Sequence, residues 1–161
     1  MKNKKIIAII VVLIIGLYLV ITQLYTFHSG NIENFKVAYK RTYSNIRDIS
    51  IKVNSVVLTI NLKSTDPIDE PTRIKMVKSM ESSLMKKEVF NEIDNYIKQT
   101  LNKPGLNYIQ VTFVSNSISN RYIVTLSGRI PSNEKTLMHV FSSISEIDMK
   151  SGGAIRTFNL N

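Results

Sequence analysis

The sequence predicts an α+β fold: an N-terminal transmembrane helix, then a small two-layer domain with an antiparallel sheet built from two hairpins and packed by two helices. Three observations predict it. An apolar run fills residues 6–27 behind a lysine-rich tip. Two pairs of segments, at 49–63 and 108–130, alternate apolar and polar side chains with the period of two of a half-buried strand. Residues 71–102 and 133–147 carry apolar side chains at the three-and-four spacing of a helix.

Ile6 to Ile21 contains no charged side chain, and residues of mixed character extend the run to Phe27. A helix rises about 1.5 Å per residue, so crossing a hydrocarbon core of about 30 Å takes roughly 20 residues. Tyr18, Tyr25 and Phe27 fall towards the outer interface, where aromatic rings concentrate. Lys2, Lys4 and Lys5 precede the run and the next basic residue is Lys36, so the positive-inside rule keeps the N-terminus in the cytoplasm. The flank after the run has no A-x-A pair of small residues, which favours a retained signal anchor over cleavage near Ser29 and Gly30. The abundance of Ile, Asn and Lys is that of AT-rich bacterial genomes. The expected organisation is a cytoplasmic tip (1–5), a transmembrane anchor (6–27), a juxtamembrane helical segment (28–47) and an extracytoplasmic domain (48–161) on a bacterial plasma membrane.

In the juxtamembrane segment Ile32, Phe35, Tyr39, Tyr43 and Ile46 recur at helical spacing. Such a helix can continue the anchor as a stalk, lie on the outer leaflet, or pack on the domain. Next, Ile49, Ile51 and Val53 alternate with polar residues, and so do Val56, Leu58, Ile60 and Leu62 beyond Asn54-Ser55. This is a hairpin with Asn54-Ser55 as its loop, which would set Val53 opposite Val56 and Ile51 opposite Leu58. Pro71 suits a first helical turn, with Asp69 or Glu70 at its N-terminal end. The helical pattern then runs to Asn102, with a break expected near Lys86-Lys87-Glu88, and Pro104-Gly105 stops it. A second hairpin is expected from 108–114 and 121–130 around a loop at 115–120. A helix capped by Pro131-Ser132-Asn133 follows, bearing Leu137, Val140, Phe141, Ile144 and Ile147. Gly152-Gly153 is a turn, and Ala154 to Leu160 forms a last strand at a sheet edge.

The chain of 161 residues leaves about 130 after the anchor, enough for a core without staples. It has no cysteine, which removes thiol catalysis, disulfides, iron–sulfur clusters and cysteine-ligated zinc. The two histidines, His28 and His139, stand far apart without a metal-binding spacing, and no nucleophile motif or phosphate-binding loop is present. Asp66, Asp69 and Glu70 cluster without the spacing of a calcium loop; helix capping accounts for them more simply than weak calcium binding. No cofactor, metal site or catalytic set is therefore expected.

The net charge is +9, and the 18 Lys and Arg beyond the anchor exceed the 12 acidic residues by six. The excess favours anionic surroundings, but the basic residues are scattered from Lys36 to Arg156. The densest mixture of aromatic and basic side chains is Phe35, Tyr39, Lys40, Arg41, Tyr43 and Arg47. These six are the expected interaction surface. Beside a membrane they fit protein or headgroup contacts better than nucleic acid.

The plan of basic tip, single anchor and small cysteine-free α+β domain resembles that of many small exported proteins of Gram-positive bacteria. The resemblance covers architecture alone and implies no site residues. The expected function is that of a membrane-tethered extracytoplasmic binding or assembly domain, acting through a protein partner or an anionic envelope polymer. The alternatives are a tethered enzyme with a dispersed carboxylate site and a ligand-sensing accessory subunit.

Overall fold

A computed structural model of the chain describes residues 11, 13–14, 27–115, 118–129 and 138–160. Helix α1 (Gly30–Thr42) leads into strands β1 (Ile46–Asn54) and β2 (Val57–Ser64). Helices α2 (Glu70–Leu84) and α3 (Lys87–Asn95) follow, the latter continuing into a π-helical turn at Tyr96–Thr100. Strands β3 (Tyr108–Ser115), β4 (Ile118–Arg129), β5 (Met138–Ile147) and β6 (Ala154–Asn159) complete the chain.

The fold is α+β, with one six-stranded sheet in the order β1-β2-β3-β4-β5-β6. It is mixed rather than purely antiparallel as expected. β2 and β3 run parallel, because α2 and α3 carry the chain back across one face between them. All other neighbours are antiparallel.

The first hairpin keeps its expected face but shifts its register. Asn54 pairs with Val57, Val53 with Leu58 and Ile51 with Ile60, so the loop is Ser55-Val56. Ser55 takes the positive φ of 55° that the tight turn requires. A slip of two residues preserves the faces, so Ile49, Ile51, Val53, Leu58, Ile60 and Leu62 are all buried. In the second hairpin Ser115 pairs with Ile118, so the ladder extends into the stretch expected as the 115–120 loop.

Of the helix expected over 133–147, the described part, Met138–Ile147, is instead strand β5. A β-bulge explains the misleading pattern. Thr125 pairs with Ser143 and Leu126 with Phe141, so Ser142 is the extra residue. The bulge sets the buried pair Phe141 and Ile144 three apart, a helical spacing, where a regular strand would set them two apart. The proposed cap of that helix, 131–133, lies outside the described residues.

The long helical stretch is two helices, parted at Met85-Lys86. Asp69 caps α2 by accepting from Thr72 N at 2.7 Å, with Pro71 in the first turn. Beyond the π-turn, Gly105 is required twice over. Its φ is +125°, and a Cβ there would collide with Asp94 Oδ1, which holds Leu106 N at 2.9 Å.

All three helices contribute to one core with the sheet: Ile32, Phe35 and Tyr39 from α1, Met76, Val77, Met80 and Leu84 from α2, and Val89, Phe90 and Ile93 from α3. The other sheet face is mostly polar and half-exposed. Lys52, Thr59, Gln110, Ile123, Ser145 and Thr157 line up as one row across all six strands. Among the described residues no helix is long and apolar enough to cross a membrane. The expected span, 6–27, lies outside the described residues apart from Val11, Leu13, Ile14 and Phe27.

Candidate functional site

The structure divides the six residues of the expected interaction surface. Ser29 caps α1 by accepting from Ile32 N at 3.1 Å, which sets the helix phase so that Phe35 and Tyr39 turn inward. Phe35 and Tyr39 are 6% exposed each and stack in sequence with Tyr43, at centroid separations of 5.3 and 4.7 Å. The Tyr39 hydroxyl donates to Met76 O at 2.8 Å and that of Tyr43 to Ser79 Oγ at 2.9 Å, so this aromatic ladder fastens α1 to α2. Burial pushes the Tyr39 phenol well above its ordinary range. Lys40, Arg41 and Arg47 remain at the surface. The basic residues are thus available for contact, and the two buried rings are not.

A buried polar cluster that no sequence signal marked lies between α2 and β4–β5. Arg73 Nε donates to the Tyr122 hydroxyl at 2.8 Å, and that hydroxyl donates to Glu146 Oε1 at 3.3 Å. Arg73 Nη2 stands 3.8 Å from the same carboxylate oxygen, and Nη1 donates to Ile68 O. Desolvation raises the Tyr122 phenol, with the Arg73 guanidinium acting in opposition. The three residues come from points 49 and 24 positions apart in the chain, so no local motif announces them.

Arg73 also lines a pocket of about 200 Å³ with Ser64, Pro67, Ile68, Phe113, Ser115 and Asn120, at the C-terminal ends of the parallel pair β2–β3. Among the described residues the pocket lining holds no acid–base pair. Glu146 is engaged by Tyr122 and Arg73, and the Ser64 hydroxyl is turned to Asp66 O at 2.7 Å. Other half-buried carboxylates are also engaged: Glu81 by Phe141 N, and Asp94 by Leu106 N and Lys98. In the acidic cluster, Asp69 caps α2 and Glu70 pairs with Arg156 of β6. His139 stacks on Phe90 at 4.0 Å, and His28 lies 3.3 Å from Glu33. Among the described residues no group of three or more His, Asp or Glu is placed to hold a metal ion.

The second contact candidate is the sheet edge. Among the described residues β6 pairs with β5 alone, and Ala154 to Thr157 are all exposed. Leu160 N–H bonds inward to Ser142 O at 3.0 Å. Backbone groups alternate along an antiparallel strand, so the N–H groups of Thr157 and Asn159 point away from β5. The outer edge therefore presents donors and acceptors in the geometry that an added strand would use.

Comparison with protein-family models, with curated proteins and with solved structures finds no match to this chain.

Proposed function

We propose that the chain is a membrane-tethered extracytoplasmic binding or assembly domain of a bacterial single-pass protein. In this reading the apolar run from Ile6 to Thr26 spans the plasma membrane, Phe27 packs into the domain core where the anchor ends, residues 1–5 remain in the cytoplasm, and the α+β domain meets a protein partner outside. The observation that carries the contact reading is the exposed outer edge of β6, unpaired among the described residues. An edge strand is a template for pairing, and proteins that do not use one commonly block it with proline, inward charge or a covering loop. Here Ile155 is 63% exposed on the edge strand, no proline lies within it, and its one charged side chain, Arg156, is taken up by Glu70 of α2. The tethering is supported by the lysine flank and by Val11, Leu13 and Ile14, helical and uncovered by the domain. The engagement of Glu81, Asp94 and Glu146 in structural hydrogen bonds favours contact over a carboxylate-based enzyme.

Site-specific photo-crosslinking in intact cells tests it. A photoreactive residue at Ile155 or Thr157 should give one adduct of discrete mass, and the same residue at Lys52 on the opposite edge strand should not. Equal yields at both edges, or no adduct at β6, would remove the edge from the account.

A further inference from the structure

Basic side chains that lie far apart in the sequence are gathered by the fold onto the outside of the helical layer. The hydrogen bonds from Tyr39 to Met76 O and from Tyr43 to Ser79 Oγ place the C-terminal half of α1 alongside residues 76–79 of α2. Lys40 and Arg41 are exposed on α1, and Lys75 and Lys78 on α2. Lys86 and Lys87 are exposed where α2 gives way to α3. Among the described residues none of these six is in an ion pair, and Glu88 is the exposed acid closest to them in sequence. The neighbouring basic residue Lys36 is neutralised by Glu33 at 2.6 Å.

The tether restricts where this face can go. Phe27 is buried, its ring 4.9 Å from that of Tyr96 beyond α3. Only His28 and Ser29 separate it from α1. Two residues reach at most about 7 Å. A tether that enters at Phe27 therefore attaches within about 7 Å of the N-terminal end of α1, which keeps the helical layer within reach of the membrane surface.

We infer that the outward face of α1 and α2 docks on the anionic headgroups of the membrane that holds the anchor. This rests on the tethered reading above. Val37 is 51% exposed and lies three and four residues before Lys40 and Arg41, so it shares their side of α1. The pairing of lysines with a shallow apolar contact is the chemistry of an interfacial helix face. Docking fixes the domain's orientation, so that β6 and the polar sheet face are presented to the envelope instead of tumbling on the tether.

The absence of native cysteine makes the test direct. The full chain with Val37→Cys carries an environment-sensitive fluorophore and is placed in bilayers of phosphatidylcholine, with or without phosphatidylglycerol. Resistance to alkaline extraction reads insertion separately. The expected result is blue-shifted emission in the anionic bilayer only. Salt at about 1 M, where the Debye length is about 3 Å, should reverse it. Lys75→Glu with Lys78→Glu should abolish it while insertion and the far-ultraviolet spectrum stay unchanged. An inserted chain whose emission ignores lipid charge overturns the docking alone. A chain that fails to insert overturns the tethered reading, and the docking with it.

Discussion

The carboxylate of Glu81 on α2 accepts the backbone N–H of Phe141 on β5 at 2.8 Å, across 60 residues of sequence. Phe141 flanks the bulge at Ser142, where the ladder between β4 and β5 is interrupted. The helix thus supplies an acceptor to a backbone donor beside an irregular stretch of sheet. Ser142 fastens the same point through Thr125 O at 3.1 Å and Leu160 N at 3.0 Å.

Removing that acceptor should loosen the bulge. Glu81→Ala is expected to cost about 1–3 kcal/mol, the range for a buried donor left without a partner. Glu81→Gln, which retains a carbonyl oxygen, should cost less. Denaturant unfolding measures the stability, and amide exchange should show faster exchange at Phe141 in the alanine variant. Unchanged exchange there would mean that the contact does not hold the bulge.

The hairpin of β1 and β2 makes a sharper demand. Leu58 is fully buried and Thr59, its neighbour, faces the open side of the sheet. Leu58→Asp should destabilise by about 3 kcal/mol or more, because a carboxylate would enter an apolar core without a partner. Thr59→Asp should cost under about 1 kcal/mol. Comparable losses at the two positions would contradict one-sided burial.

This hairpin was legible because alternation assigns faces even when the register is misplaced by two. β5 was not, because the bulge at Ser142 converts a period of two into a spacing of three between Phe141 and Ile144. The parallel pairing of β2 with β3 has no signature in either strand, since it depends on where two intervening helices return the chain. The Arg73–Tyr122–Glu146 cluster and the basic helical face were hidden for a related reason. Each joins residues that are separate in sequence and meet only once α2 lies on the sheet. The aromatic spacing of α1 was visible, but periodicity alone does not say whether such a face meets core or partner.

Stability should fall at both ends of the pH range. The phenols of Tyr39 and Tyr122 are raised by burial, so each contributes stability that is complete below about pH 10 and is lost as pH rises further. Asp69 is held below its ordinary value by Thr72 N–H, and Asp148 by Lys150 N–H. Their contribution is present at neutral pH and is lost as pH falls below about 4. Ultraviolet titration should show the most exposed tyrosines ionising first, with Tyr39 ionising only as the chain unfolds. Tyr39→Phe should remove that coupled step. A single smooth titration of all the tyrosines in the folded chain would contradict the burial of this ring.

The free edge of β6 predicts a separation of folding from binding. Thr157→Pro removes an N–H that points away from β5, so the ladder to β5 should persist and stability should drop by no more than about 1–2 kcal/mol. Crosslinking from Ile155 should fall sharply in the same variant. Retained crosslinking with an intact fold would show that the partner does not pair with this edge.

The account depends most on which side of the membrane the domain occupies. Lys52 is exposed on the sheet face away from the helices and the chain has no native cysteine, so Lys52→Cys gives one accessible thiol on the domain. Labelling intact cells with a membrane-impermeant maleimide, with and without permeabilisation, measures its location. The account predicts full labelling of membrane-bound chain in intact cells, with no gain on permeabilisation. Labelling that appears only after permeabilisation would place the domain in the cytoplasm and contradict it.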